Sequence, residues 1–404
     1  MKILLIWAKT TPSVPIISCA WEQRKLGEFT TSYSGGTPNV NNKEFYNGNI
    51  PFIRSAEIHK AVTELFLSKE GIHNSSAKLV KRGDILYALY GATSGAVGIS
   101  RIDGAINQAI LCIRANSSSS NGFLSHWLDL QKDKIVGKYL QGGQGNLSGS
   151  IIKKLVVLKP SYKEQIAVTE LLDNIDNLIA ANQSKLDQFK ELKKLLMEKI
   201  FSQQWRFKGF TDPWEQRKFG EVIVLVGGGT PAKNNFKYWN GDISWLSSQE
   251  IKSKYIGSST YYITKEGLDN SSARLISPGR LLIVVRSGIL ARRFPISIST
   301  EYVAINQDIK ALIFDEKKIV LDFMFSQLQY LEPFILRSIV KSGTTVQSVN
   351  LPDFKKMIIE IPLISEQKTI GQLFKIFDDL IAANQRRLDQ LKALKKYLMQ
   401  NMFV

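Results

Sequence analysis

The fold is decided by an eight-residue stretch that the chain carries twice. It stands at Asp176–Gln183 (DNLIAANQ) and returns 202 residues later at Asp378–Gln385 (DDLIAANQ). Each copy lies in a lysine-rich segment whose apolar residues have the periodicity of an amphipathic helix. The periodicity predicts helices at about 163–201 and 365–402, each roughly 60 Å long at 1.5 Å per residue.

Apolar residues spaced three and four positions apart form a seam along each predicted helix. Asn182 and Lys193 are the polar exceptions in the first seam, and Asn384 and Lys395 fall at the matching places in the second. A polar residue within an apolar seam is typical of a coiled coil whose register it fixes. The alternative for the two asparagines is a solvated edge position. Periodicity does not choose between a parallel and an antiparallel helix pair.

The rest of the chain repeats as well, so the sequence is one unit built twice. Trp21–Glu28 (WEQRKLGE) and Trp214–Glu221 (WEQRKFGE) open the two units. The offset between matching positions grows from 193 to 202 along the chain, as insertions in surface loops of the second unit would produce. The other matches are Gly35–Pro38 with Gly228–Pro231, Asn47–Gly48 with Asn240–Gly241, Asn74–Ala77 with Asn270–Ala273, Ala105–Gln108 with Ala304–Gln307, and Glu164–Gln165 with Glu366–Gln367.

Each unit begins with short apolar runs separated by glycine, asparagine and serine, which predict strands joined by turns. Leu124–Ile135 and Leu321–Tyr330 are helix candidates. We therefore predict an α+β fold of two mixed, strand-rich domains joined by two long helices, with a pseudo-two-fold duplication. The predicted segments are 1–20 (divergent N-terminal segment), 21–162 (first domain), 163–201 (central helix), 202–213 (linker), 214–362 (second domain) and 363–404 (C-terminal helix).

The charge of the chain favours a polyanionic partner. There are 53 Lys+Arg against 36 Asp+Glu, which gives a net charge of +17. Such a surplus suits nucleic acid, because each neutralised phosphate releases counterions. The two cysteines, Cys19 and Cys112, form no disulfide framework and favour the reducing cytoplasm. We expect no membrane span, because no apolar run is long enough. We also expect no working signal peptide, because the apolar run at Met1–Ala8 is short.

No motif for catalysis is found in the sequence. A phosphate loop of the form GxxxxGK[ST] is absent, and the glycine-rich Gly142–Gly149 misses the dinucleotide-binding spacing. Asn350–Phe354 matches only part of the Asn-Pro-Pro-aromatic segment of adenine methyltransferases. The histidines and cysteines lack metal-ligand spacing. The sequence leaves open a cluster of carboxylates such as nucleases use, although no candidate cluster recurs in both units. We predict a chain that is not catalytic on its own.

Together, these motifs resemble the specificity subunit of type I DNA restriction–modification systems. The resemblance rests on the paired DxLIAANQ helices, the WEQRKxGE openings, the GGTP turns and the AINQ segments, and it covers about residues 21–404. One departure concerns the start. Arg206–Pro213 (RFKGFTDP) is a lead-in typical of the family, whereas Ser13–Ala20 has no identical residue at the aligned positions. The role of residues 1–20 is therefore open.

The resemblance implies a function and a set of partners. Each domain would be a target recognition domain that reads one half of a bipartite sequence in double-stranded DNA. The helices would pack antiparallel, separate the domains and bind two modification (methyltransferase) subunits, which restriction subunits join. Cofactors would belong to the partners, as S-adenosylmethionine, ATP and Mg²⁺. The helix residues expected to act in spacing and docking are Asp176, Leu178, Ile179, Asn182, Gln183, Lys190, Lys194, Asp378, Leu380, Ile381, Asn384 and Gln385.

The duplication also serves as an internal control for DNA contacts. Residues that both units share, such as Gly35–Pro38, Asn107 and Gln108, are expected to be structural. Residues that differ at equivalent places are candidates for reading different half-sites, and arginine, glutamine, serine and threonine suit base edges or phosphates. The candidates are Arg54, Ser55, Tyr90, Thr93, Ser94 and Arg101 in the first unit and Ser247, Ser248, Gln249, Arg286, Arg292 and Arg293 in the second.

Two other interpretations stay open at this point. One is a basic scaffold that binds DNA without a fixed bipartite target. The other is a nuclease or methyltransferase whose site the motifs do not reveal.

Overall fold

The computed structural model describes residues 21–140, 146–343 and 346–403. The N-terminal segment predicted at 1–20 lies outside these ranges, as do residues 142–145 of the glycine-rich stretch. The chain divides into two compact units. The first combines the part up to Gln183 with the part from Arg387 onward, and the second is Ser184–Arg386. Each long helix therefore contributes one end to each unit.

The first unit contains short strands, as its short apolar runs predict. Their bounds are β1 (Glu22–Lys25), β2 (Thr30–Ser34), β3 (Ile50–Ile53), β4 (Leu65–Leu67), β5 (Lys78–Val80), β6 (Ile85–Ala88), β7 (Val97–Ile99), β8 (Gly104–Ile106), β9 (Ile110–Ala115) and β10 (Val156–Lys159). They form two four-stranded sheets, in the orders β2-β9-β6-β7 and β4-β3-β8-β5, and a ribbon of β1 and β10. The β3–β8 pair is parallel.

The first helix, α1 (Lys69–His73), packs beside β4 of the second sheet. The helices that cover the β2-β9-β6-β7 sheet are α2 (Asn121–Leu140), α3 (Gly149–Lys153) and the first part of α4 (Tyr162–Phe201). The helix candidate at Leu124–Ile135 is the middle of α2. Phe123 and Leu128 from α2 share a core with Ile85 of the sheet, with Leu172 of α4 and with Met399 near the end of the chain.

The second unit repeats this plan. Its strands are β11 (Glu215–Lys218), β12 (Val224–Gly227), β13 (Trp239–Leu246), β14 (Tyr255–Ile256), β15 (Tyr261–Ile263), β16 (Arg274–Ile276), β17 (Leu281–Val284), β18 (Ile296–Ser299), β19 (Val303–Ile305), β20 (Ile309–Ile313), β21 (Val340–Lys341), β22 (Ser348–Val349) and β23 (Ile358–Ile361). Its helices are α5 (Phe219–Val222), α6 (Lys265–Asp269), α7 (Leu321–Phe334), α8 (Leu351–Lys356) and α9 (Ile364–Met402), the last shared with the first unit.

Matching strands occupy matching places in the sheets of the two units. The orders β12-β20-β17-β18-β14 and β15-β13-β19-β16 repeat those of the first unit, with β14 added at one edge. Strand β14 lies where the offset between the units rises from 193 to 196. The insertion has therefore produced an extra edge strand, which pairs parallel with β18.

The predicted seams are the buried faces of α4 and α9. Leu172 and Leu186 are buried in α4, as are Phe374 and Leu388 in α9. Within the second unit, the ring of Phe201 at the end of α4 stacks on Phe374 near the start of α9, with ring centres 5.7 Å apart. Within the first unit, the start of α4 shares a core with the end of α9. In each unit, late residues of one helix meet early residues of the other.

The Gly-Gly-Thr-Pro turns lie where two backbone segments approach closely. A Cβ atom on Gly35 would stand 1.8 Å from the carbonyl oxygen of Ile106, and one on Gly228 would stand 1.9 Å from that of Ile305. Any residue other than glycine would push these segments apart. The turn is thus part of the frame that both units need.

Candidate nucleic-acid interface

A groove of about 1080 Å³ opens on the second unit. Three predicted DNA contacts, Ser247, Ser248 and Gln249, line it together. Residues that both units share also line it, among them Thr230 and Gln307. The remaining lining residues are Gly229, Lys233, Phe236, Trp239, Asn240, Trp245, Tyr261, Tyr262, Ser272, Asn306 and Asp308.

A threonine–glutamine pair joins the glycine turn to the AINQ segment in each unit. Thr230 donates a hydrogen bond from Oγ1 to Oε1 of Gln307 at 2.7 Å. Thr37 makes the equivalent bond to Gln108 at 2.5 Å. These contacts favour the structural role predicted for the shared residues, and in the second unit they also form part of the groove wall.

A glutamate that the sequence comparison did not single out holds the divergent loop of each unit. Glu57 is buried in the first unit, and Glu250 is half-buried in the second. Glu57 accepts hydrogen bonds from the backbone N–H groups of Arg54 and Glu64. Glu250 does the same for Ser247 and Thr260. The signal was present, because Glu57 and Glu250 match at the 193-residue offset, but they lie inside stretches that otherwise differ. A glutamate that both units share is thus flanked by different residues in each unit.

Arg54 is held by two carboxylates rather than left free. Its guanidinium donates to both carboxylate oxygens of Glu57, at 3.1 and 3.0 Å, and to Glu64 at 2.5 Å. Burial opposes the charge of Glu57, but the hydrogen bonds from Arg54 and from the backbone hold its pKa below the usual value. A DNA contact by Arg54 requires the ion pair with Glu64 to open. Ser55 follows in the same loop and is half-buried.

The other candidates of the first unit flank strand β7. Tyr90 is half-buried against the core that contains Phe123. Thr93 is half-buried in the same loop, where Ser94 donates from its hydroxyl to the carbonyl oxygen of Gly91 at 2.9 Å. Arg101 is exposed and lines a cavity of about 350 Å³ with His59 and Arg82. Tyr90, Thr93 and Ser94 thus lie on the connection between β6 and β7, and Arg101 lies on the next one, between β7 and β8. Arg54 and Ser55 lie on a third connection, after β3.

The three arginines of the second unit lie on the loop between β17 and β18. Arg286, Arg292 and Arg293 are exposed, around a 3₁₀ turn at Gly288–Ala291. Within the described part of this unit, the lining of the groove does not include them. Only Ser247, Ser248 and Gln249 of the second-unit candidates are therefore brought together in one groove.

Two ion pairs, each within one unit, join α4 to α9. Lys193 donates to Asp378 at 2.6 Å in the second unit, and Lys395 contacts Asp176 at 2.7 Å in the first. The two pairs use the same two positions of the repeat, with the roles of the helices exchanged. The polar seam positions Lys193 and Lys395 therefore have partners, which sequence periodicity did not reveal.

In the second unit, a residue of the strand-rich domain, which we call the head of that unit, joins this ion pair. Lys254 precedes strand β14 and reaches Asp378 and Asp322, each at 3.0 Å. Burial opposes its charge, but the two carboxylates raise the pKa of Lys254 above the usual value. The first unit has a cavity of about 390 Å³ instead, lined by His59, Asp176 and Lys395 among others. The inserted strand thus supplies a link between head and helix.

The remaining helix candidates divide into buried and exposed positions. Asn182 is buried, and its side-chain amide donates to the carbonyl oxygen of Leu178 at 2.7 Å. Asn384 is half-buried and makes the same bond to Leu380 at 2.8 Å. Ile179, Ile381, Gln183 and Gln385 are half-buried, whereas Lys190, Lys194, Leu178 and Leu380 are exposed.

The repeated Glu-Gln pairs attach each helix to its own head. Gln165 is fully buried, accepts from the backbone N–H of Ser120 at 2.9 Å and donates to the carbonyl oxygen of Pro160 at 2.9 Å. Gln367 makes the equivalent contacts with Val320 and Pro362. The glutamate of each Glu-Gln pair accepts a hydrogen bond from a tryptophan indole. Trp21 donates to Glu164, and Trp214 donates to Glu366. The joint explains why Trp and Glu-Gln recur.

Two of the sequence features considered for catalysis take structural roles. Asn350 caps helix α8 by accepting from the backbone N–H of Asp353. Ser148, at the end of the glycine-rich stretch, caps α3 in the same way. Among the described residues, no group of three or more histidine, cysteine, aspartate or glutamate side chains is arranged to hold a metal. In the same residues no helix is long and apolar enough to cross a membrane.

These features define a class: a basic, internally duplicated α+β protein whose two units present different side chains on one shared frame. Residues 20–191 and 211–393 each match the family model described as the type I restriction modification DNA specificity domain. The matches take in most of the chain, so the chain belongs to this family and carries its domain twice.

Named relatives agree with this assignment. The chain is 31% identical over 265 residues to the specificity subunit of the type I restriction enzyme EcoR124I/EcoR124II of Escherichia coli, covering 64% of this chain and 63% of that one. It is 21% identical over 397 residues to the MjaVIII specificity subunit of Methanocaldococcus jannaschii, covering 94% and 91%. The first alignment thus spans less than two thirds of its relative, and the second spans most of it.

Solved structures share the fold. The S subunit of a type I restriction-modification system from M. genitalium superposes with a TM-score of 0.67 at 15% identity, over 98% of this chain and 99% of that one. A chain from a structure of type I R-M complex assembly and conformational transition gives a TM-score of 0.54 at 17% identity, over 97% and 99%. At these identities the likeness concerns the two-domain fold alone.

Proposed function

We propose that this chain is the sequence-reading subunit of a type I restriction–modification complex and that each unit reads one half of a bipartite DNA target. The observation that carries the proposal is the shared frame with unlike side chains. Glu57 and Glu250 hold equivalent loops, but the loop carries Arg54 and Ser55 in one unit and Ser247 and Ser248 in the other. Two units with the same fold but different loop side chains suit the recognition of two different half-sites.

The long helices serve as spacer and docking surface in this proposal. Two observations support antiparallel pairing of α4 and α9. Within each unit, late residues of one helix contact early residues of the other, and an ion pair joins the two helices. Exposed apolar side chains repeat at equivalent positions, which suits two copies of one partner, the modification subunit. In the first unit they are Leu178, Leu394 and Tyr397, and in the second they are Leu380, Leu192 and Leu195.

The chemistry belongs to the partners. We propose that the modification subunits supply S-adenosylmethionine, that restriction subunits supply ATP hydrolysis, and that Mg²⁺ serves those partners rather than this chain. The chain itself would act in the cytoplasm, where its DNA lies. Turnover by the purified chain on DNA, with Mg²⁺ or S-adenosylmethionine and no other subunit, would contradict this division and favour an enzyme.

Footprinting tests the recognition itself. Methylation sequencing of the host genome first identifies the target, and the complex with modification subunits is then footprinted on it. We expect two protected blocks separated by a fixed gap, because each unit reads one half-site. Continuous or featureless protection would favour a basic scaffold without a fixed target. The net charge of +17 would be sufficient for DNA binding of that kind.

Docking is tested by placing charges on the exposed apolar positions. Leu192→Asp should remove one modification subunit, Leu394→Asp the other, and the double variant both, because a buried unpaired charge opposes association. Native mass spectrometry of co-purified complexes would count the subunits. The melting temperature of the isolated chain should change little, since both leucines are exposed. Charge reversal at Lys190 and Lys194 should likewise weaken assembly more than fold. A lost fold with intact assembly would contradict the docking role.

A further inference from the structure

The groove of the second unit carries aromatic side chains that its frame does not need. Phe236 is 86% exposed and Tyr261 is 57% exposed, and both line the groove. The matching residues of the first unit are Lys43, in the equivalent 3₁₀ turn, and Leu65, in the equivalent strand. The same local structure therefore forms without either ring. Exposed aromatic rings cost solvation free energy, so their grouping in one groove points to a ligand.

Two tryptophans beside Tyr261 also line the groove, and hydrogen bonds fix their indole rings. The indole N–H of Trp239 donates to the carbonyl oxygen of Ala232 at 3.1 Å, and that of Trp245 donates to Gly229 at 2.9 Å. The two indoles meet edge to face with ring centres 5.3 Å apart, and Tyr261 follows at 6.4 Å from Trp245. Hydrogen-bonded aromatic rings in such contacts have fixed orientations, so the two indoles and the ring of Tyr261 need little ordering when a ligand binds.

Polar groups without protein partners face the same groove. Within the described residues, the side chains of Ser248 and Gln249 make no hydrogen bond, and Lys233 makes no ion pair. Gln307 accepts from Thr230 through Oε1, which leaves its amide N–H groups to donate elsewhere. Amides pair with the edges of nucleobases, and lysine pairs with phosphate.

We propose that this groove holds one nucleobase that has left the stack of the DNA duplex. The base would stack on the rings of Phe236 and Tyr261 and turn its edge toward Gln249 and Gln307. Within an intact duplex an aromatic ring meets a base only at its edge, for example at a thymine methyl group, whereas an unstacked base offers its whole face. Aromatic side chains are the general means of holding an unstacked base. The inference rests on the proposed function, which makes DNA the ligand of this unit.

The test uses the full chain in complex with its modification subunits. Duplexes carry the target with a single abasic site opposite each base, in turn, of the half-site read by the second unit. A methyltransferase extrudes the base that it methylates, so the position that the modification subunits methylate is left out of the comparison. At one other position we expect binding to tighten by about fivefold, because a base without a partner is cheaper to extrude. At the other positions we expect unchanged or weaker binding.

Variants identify the stacking residues. Phe236→Leu keeps an apolar side chain without a ring, and together with Tyr261→Ala it should weaken binding of the intact target about tenfold and abolish the abasic preference. Phe236→Trp should retain both. Tyr302→Ala is the matched control, because Tyr302 is 62% exposed in the same unit and does not line the groove.

The outcomes separate this inference from the proposed function. If no position prefers an abasic partner, or if Tyr261→Ala costs no more than Tyr302→Ala, the groove does not hold an unstacked base, while two-block protection would still support recognition. If the unaltered complex protects no bipartite target, the proposed function and the inference fail together.

Discussion

At the scale of single residues, Glu57 determines how the variable loop of the first unit is presented. Its two carboxylate oxygens accept four hydrogen bonds, two from the Arg54 guanidinium and two from backbone N–H groups. The side chain is almost fully buried, so no solvent competes for these bonds. A buried carboxylate with this many donors is a structural anchor, and the side chains around it are free to vary.

Replacing Glu57 tests the anchor. Glu57→Gln puts an NH₂ group against donors it cannot accept from, and we expect a loss of about 1–3 kcal/mol in the free energy of unfolding. Glu64→Gln is the matched control, because Glu64 also pairs with Arg54 but is exposed, so its loss should stay below about 1 kcal/mol. Urea unfolding of the full chain measures both. Equal losses would contradict the anchor role.

The same variant has a pH signature. Because hydrogen bonds hold the pKa of Glu57 below its usual value, its stabilising contribution is complete above the ordinary glutamate pKa of about 4.3. The contribution is lost as pH falls through the lowered value. The stability difference between the natural chain and Glu57→Gln should therefore be largest near neutral pH and shrink on acidification, as urea unfolding at several pH values would show. A constant difference would mean that the charge of Glu57 plays no part.

At this scale the sequence predicted kinds of residue better than their contacts. Comparison of the two units selected Ser247–Gln249, which do line a common groove. It also selected Arg54, whose guanidinium is already bound by Glu57 and Glu64. A one-dimensional comparison shows which side chain differs between the units, but the partner that binds it lies elsewhere in the chain and is brought near only by folding.

At the scale of elements, the inserted strand β14 changes how the second head is attached to its helix. It delivers Lys254 to Asp322 of α7 and Asp378 of α9, and Asp378 also binds Lys193 of α4. Lys254 thus links a sheet edge to two helices, and Asp378 extends the link to α4 through Lys193. The first unit, without the insertion, has a polar cavity at the comparable place.

Removing this lysine should loosen the second unit. Lys254→Met leaves Asp322 without its cation in a largely buried site, and we expect a loss of about 3–5 kcal/mol in unfolding free energy. Lys252→Met is the control, because Lys252 is exposed two residues away and its loss should be within about 0.5 kcal/mol. Hydrogen exchange of α7 and β14 should rise in the first variant only. Unchanged exchange would contradict the link.

The long elements were the part of the fold most accessible to sequence. Helix α4 runs over Tyr162–Phe201 and α9 over Ile364–Met402, against predictions of about 163–201 and 365–402. Seam periodicity also predicted which faces are buried. It did not predict the Lys193–Asp378 and Lys395–Asp176 pairs, because periodicity describes one helix at a time. Strand order was likewise inaccessible, since it depends on pairings between distant segments.

At the scale of the whole molecule, duplication separates what is kept from what varies. Each unit buries its own cores, and the repeated motifs take part in turns, joints and ion pairs within a unit. Divergent residues lie on loops that this frame holds. Under the proposed function, a new half-site would therefore need changes in one set of loops only.

Exchange of one head tests this independence. Replacing residues 21–160 by the corresponding head of another family member should change one half-site and leave the other, because the second unit keeps its core and its groove. Replacing residues 214–362 instead should change only the other half-site. Methylation sequencing in cells that carry each chimera with the modification subunit would report both targets. A chimera in which both half-sites change, or in which neither does, would show that recognition is not divided between the two units.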